Sequence, residues 1–114
     1  MKKLTSLDEI QKIPGADEKF IKDFISSFIK QLALQLINYK ESVEQNNIQE
    51  IKHIAHKMKS SLFYFGMHDQ KIMAQNIEDL VTTDFEKAKQ LISEIIIDCN
   101  LAIEELNGVL AKQN

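Results

Sequence analysis

Apolar residues recur along this chain at the three-and-four spacing of one face of an α-helix. Ile21, Ile25, Phe28, Leu32, Leu36, Tyr39 and Val43 form the first such stripe, and Phe20 and Phe24 widen it. Asp17 stands where an N-cap belongs, so the spacing predicts one long helix over residues 17–45. Asn46-Asn47 interrupts the pattern. Asn47 with Glu50 resembles a capping box, with Asn in the Ser/Thr place. A second stripe then runs Ile48, Ile51, Ala55, Met58, Leu62 and Phe65, and stops at Gly66, a C-cap candidate. A weaker helix is expected over 69–81, with Ile72, Met73, Ile77 and Leu80 inside. Thr83 with Glu86 makes another capping box, opening a last long helix over 84–110. Its stripe is Ala88, Leu91 or Ile92, Ile95, Cys99, Ala102 or Ile103, and Leu106.

Pro14-Gly15 is the strongest punctuation in the chain. It sets off residues 4–13 as a short cap helix. Ile95-Ile96-Ile97 has β propensity, but its capped, periodic surroundings outweigh three β-branched residues. The predicted fold is therefore all-α: an antiparallel four-helix bundle with a short N-terminal cap helix, one domain across residues 1–114.

Composition narrows the chemistry. The 114 residues hold three glycines, Gly15, Gly66 and Gly108, too far apart to build a phosphate-cradling loop. One cysteine, Cys99, gives no internal disulfide and fits a reducing compartment; it falls on the last apolar stripe and reads as core. No apolar run approaches the roughly 20 residues a membrane span requires. The Met1-Lys2-Lys3-Leu4-Thr5 start lacks the apolar stretch of a signal peptide, so the cytoplasm is the expected address. The initial Met fits a complete, free-standing chain.

Charge is uneven. The chain carries 14 Lys against 17 Asp and Glu. The window 49–68 nevertheless has a balance of +2, leaving −5 elsewhere, and His53 and His56 both fall inside it. An acidic domain with one basic patch suits a small anionic ligand or an acidic partner surface. At 100° per residue, His56 lies just outside the buried stripe marked by Ala55 and Met58. Lys59 and Ser60, its i+3 and i+4 neighbours, share that face. The expectation is an outward imidazole with an ammonium one turn along and a small residue that admits another protein; Lys57 flanks them as a further positive charge. A neutral imidazole is a good nucleophile, and positive charge nearby steadies a phosphoryl group in transfer.

Ala55-His56-Lys57-Met58-Lys59-Ser60-Ser61, with Phe65-Gly66 after it, resembles the signature of the histidine-containing phosphotransfer (HPt) domain family. That signature reads A-H-x-L-K-G with a Gly ten residues after the His. Ala55, His56, Lys59 and Gly66 fall in register and Met58 stands for Leu. Phe24, Phe28, Leu32 and Leu36 are similar to the family's preceding helix, so the likeness spans nearly the whole chain. It implies that His56 is phosphorylated at Nε2 and that Lys59 stabilises the charge. It also implies a carrier without kinase activity of its own, moving phosphoryl groups between aspartates of receiver domains. Partners would be response-regulator receiver domains and a hybrid histidine kinase. Magnesium would sit in the receiver and the carrier, expected to be a monomer, would need no cofactor. An apolar patch beside the histidine would dock the receiver, with Ile13, Phe20, Phe24 and Phe63 as candidates. Two positions depart from the pattern: Ser60 replaces the family's Gly, and Phe63 is bulkier than usual.

Two other functions compete. One is a module of the same fold that binds receivers without chemistry. The other is a small helical nucleic-acid-binding protein, against which the acidic balance and the lack of an arginine-rich stripe both weigh. A metal site is not expected, because Glu50-x-x-His53 is a single Glu-x-x-His step and di-iron bundles need two facing inward.

Overall fold

Asp17 opens the first long helix as expected: its side chain accepts the Phe20 N–H at 2.8 Å. The computed structural model describes residues 3–112, so Met1 and Lys2, on which part of the leader argument rested, lie outside the described residues. The elements are α1 (Asp8–Gln11), α2 (Glu18–Glu44), α3 (Ile48–Tyr64), α4 (His68–Leu80) and α5 (Phe85–Lys112). The cap helix predicted over 4–13 is thus reduced to the four residues of α1. Pro14 and Gly15 then form the turn into α2, closed by the Ala16 N–H donating to the Ile13 carbonyl at 3.0 Å; Gly15, at φ +81°, takes its left-handed corner.

Each reversal is built from the residues that punctuate the sequence. At the end of α2, Asn46 adopts φ +52° and the Asn47 N–H reaches back to the Ser42 carbonyl at 2.8 Å. This is a Schellman stop with Asn in the glycine position. The Asn47 side chain simultaneously caps α3, accepting the Glu50 N–H at 3.1 Å. The reciprocal half of the expected capping box is missing because the Asn47 N–H is committed to Ser42. Gly66 repeats the device at the end of α3, with φ +69° and the Met67 N–H on the Leu62 carbonyl at 3.0 Å. At the start of α5 the cap is Asp84, not Thr83: its carboxylate accepts the Lys87 N–H at 3.2 Å.

Connections of three or four residues force successive helices to run antiparallel. α2 packs on α3 and α5, and α4 packs on the same two, so the four close around one core. The buried stripes follow the predicted spacing. In α5 the open choices resolve to Ala88, Ile92, Ile95, Cys99, Ala102 and Leu106. The exception is α4, where Ile72 is 61 % exposed and the buried face is Gln70, Ala74 and Ile77. Gln70 donates to Asp98 of α5 at 3.1 Å, which satisfies the buried amide. Burial pushes the Cys99 thiol up to about 12, so it is a core group and a poor nucleophile. The Tyr39 hydroxyl, likewise buried and raised, donates to Met58 Sδ at 3.1 Å and ties α2 to α3. Among the described residues no helix is long and apolar enough to cross a membrane.

Candidate functional site

α3 is anchored from below by Ile51, Ala55, Met58 and Leu62, all fully buried. One step round from Ala55, the His56 side chain stands 70 % exposed near the middle of the helix. This is the outward presentation that the angular argument required. Ser60 is exposed one turn along, and His53 and Lys57 are exposed beside the ridge.

Lys59 departs from expectation. Its side chain is only 18 % exposed, because it reaches across the seam to Glu78 and Gln75 of α4. Its ammonium lies 2.8 Å from Glu78 Oε1 and donates to Gln75 Oε1 at 2.6 Å. Gln75 in turn donates to Asp79 at 2.9 Å. The other oxygen of Glu78 lies 3.3 Å from His56 Nδ1. Lys59 holds the Glu78 carboxyl below the usual carboxylate range against the opposing effect of desolvation, and His56 adds to that pull. The site is therefore a relay of contacts from His56 through Glu78 and Lys59 to Gln75, with most of the imidazole exposed to solvent.

A groove of about 420 Å³ runs between α2 and α3 on the other flank. Phe20, Phe24, Tyr64, Ser60 and Ser61 line it, over Phe28, whose ring stacks on Phe65 at 4.0 Å. Phe24 and Tyr64 meet edge to face at 5.7 Å. Of the residues expected to form one apolar patch, Phe20 and Phe24 are brought together. Phe63 lies on the α4 side, touching Tyr64 at 5.7 Å with Lys71 over its ring at 5.2 Å. Ile13 is half-buried against the core and does not line the groove. Tyr64 is 37 % exposed and meets Phe24 on one side and Phe63 on the other.

The sequence reading missed Glu78 and Gln75. Each directly follows a buried residue, Ile77 and Ala74, as His56 follows Ala55 and Lys59 follows Met58. That position beside the stripe was the available signal. Among the described residues no cluster of three or more His, Cys, Asp and Glu is arranged to hold a metal.

The sequence matches the family model of the Hpt domain over residues 22–111. The chain belongs to the Hpt domain family. Comparison with curated proteins and with solved structures finds no match. Hpt domains are phosphotransfer carriers of phosphorelays and generally interact with receiver domains, so membership gives this chain a phosphotransfer role. The Hpt match takes in all of α3 and α4, and with them His56, Lys59 and Glu78; α1 and Phe20 precede it.

Proposed function

We propose that the chain, as a single domain over residues 1–114, accepts a phosphoryl group at His56 Nε2 from a receiver aspartyl phosphate and passes it to another receiver. The observation that carries this reading is the imidazole in mid-helix, 70 % exposed, whose contact with Glu78 is made through Nδ1. An aspartyl phosphate lies inside another folded protein, so its acceptor must project and be approachable in line. The lone pair on Nε2 attacks phosphorus as the bond from phosphorus to the aspartyl oxygen breaks, and the aspartate leaves as carboxylate. The reverse step discharges the group to the second receiver, which brings its own magnesium.

The surroundings suit that exchange. Ser60 adds little bulk beside the ring, and Lys57 contributes positive charge on the open side. The groove lined by Phe20, Phe24 and Tyr64 offers apolar surface for the receiver, with Phe63 as a second contact across the ridge. The test is incubation with a phosphorylated receiver and magnesium. An acid-labile, alkali-stable label on His56 is expected, and a His56→Gln variant that folds normally should take up none. Label on that variant would defeat the site assignment. Receiver binding without any transfer to the wild-type protein would reduce the chain to a binding module.

A further inference from the structure

The outward faces of two helices carry apolar residues that the bundle does not use. On α2 they are Leu34, 58 % exposed, and Ile37, 54 % exposed; on α5 they are Ile97, 61 % exposed, and Leu101, 42 % exposed. None of the four packs against the core, and neither Leu34 nor Ile37 lines the groove beside α3. A single exposed apolar residue is ordinary, so the residues that flank these pairs decide what they mark.

On α2 the flanks are opposite in sign and evenly placed. Lys30 stands four residues before Leu34, and Glu41 stands four residues after Ile37. Eleven residues separate the two charges, which is about three turns, so all four side chains share one face. All four are exposed, and among the described residues neither charge has an ion pair within the chain. From either end the face runs charge, apolar, apolar, opposite charge.

We propose that this face of α2 binds the same face of a second copy of the chain, antiparallel, about a two-fold axis between Gln35 and Leu36. That axis sets Lys30 against Glu41 of the second copy and Leu34 against its Ile37, and symmetry makes each contact twice. Within α2 it opposes no two like charges. A parallel pairing would set Lys30 on Lys30 and Glu41 on Glu41, so charge fixes the direction. The outer face of α5 fails the same operation. An axis that pairs Ile97 with Leu101 there sets Glu94 against Glu104, and the two carboxylates repel. A second copy therefore fits α2 and not α5. The pairing departs from the monomer that the family resemblance implies. It uses no residue of the groove or of the contacts around His56, so each copy keeps its own exposed imidazole.

The experiment is sedimentation velocity of the full chain at low salt. The patch is small, so a weak dimer is expected, with a Kd between about 10 µM and about 1 mM. Lys30→Glu alone and Glu41→Lys alone place like charges at both ends of the pairing, and each should raise Kd about tenfold or more. Both positions face solvent, so the variants should keep the wild-type helical content by circular dichroism. Mixed in equal amounts, the two variants should dimerise within about threefold of wild type, because each supplies the charge the other lacks. A wild-type protein that stays monomeric up to about 1 mM overturns the proposal. So does a dimer indifferent to both reversals, or a mixture no tighter than its components. A dimer lost in Leu101→Glu and kept in Leu34→Glu places the contact on α5, which also overturns it.

Discussion

Gly66 and Gly108 should respond to alanine in opposite directions. Gly66 sits at φ +69°, and a Cβ there would lie 2.8 Å from the Ser6 Cβ. The left-handed backbone disfavours any side chain and the N-terminal segment leaves no room for one. Gly66→Ala is expected to cost about 2 kcal/mol in chemical denaturation. Gly108 lies within α5 with open space around its Cα, so Gly108→Ala should stabilise by about 0.5–1 kcal/mol. A neutral Gly66→Ala would mean that Ser6 does not pack there. The first of these glycines was readable in the sequence as a helix stop, since it follows the last apolar residue of its stripe. Its crowding was not, because Ser6 arrives from sixty residues away. The same division holds in the site. His56 projects because Ala55 and Met58 fix its angle, which is local information. Lys59 has the same local signature, yet it is drawn inward by Glu78 and Gln75, and only the packing of α4 on α3 brings those near.

Caps and stripes carry the same lesson one level up. Thr83 with Glu86 reads as a capping box in the sequence, but it is the Asp84 carboxylate that accepts the Lys87 N–H at 3.2 Å and caps α5. The Thr83 and Asp84 N–H groups both donate to the Leu80 carbonyl and close the turn that leaves α4. Asp84→Ala should therefore cost about 1 kcal/mol, while Thr83→Ala at an exposed position should be near neutral. Thermal unfolding of the pair checks this, and the reverse order would restore Thr83 as the cap. α4 shows where periodicity misleads. Ile72 and Met73 adjoin and either can head a stripe, but Gln70 and Ala74 define the buried side and leave Ile72 in water. A buried glutamine is a weak signal until Asp98 is in place to receive it. α2, α3 and α5 were legible because each repeats its stripe over four turns or more, so one ambiguous position cannot rotate the helix.

At the scale of the whole molecule, the described part of the chain before α1 is fastened to α5. The Glu105 carboxylate accepts the Leu4 N–H at 2.9 Å, the Thr5 N–H at 3.1 Å and the Thr5 hydroxyl at 2.9 Å. Partial burial alone would raise this carboxyl; the hydrogen bonds from Leu4 and Thr5 outweigh it and hold it below the ordinary glutamate value. A group lowered in the folded state contributes fully above its unfolded value, and the contribution disappears as pH falls through the folded one. Acidification should therefore release residues 4–7 while the helices persist, and Glu105→Gln should loosen them at neutral pH. Amide hydrogen exchange at Thr5 reports this; unchanged protection in acid would show that packing, not the carboxylate, secures the segment. The exposed His56 ring on the α3 ridge has a different kind of consequence. One open edge of one imidazole has room for one visitor, so a donor and a recipient that both need it must take turns. Traffic through such a carrier is then governed by how fast its visitors depart, and an excess of either one obstructs the other.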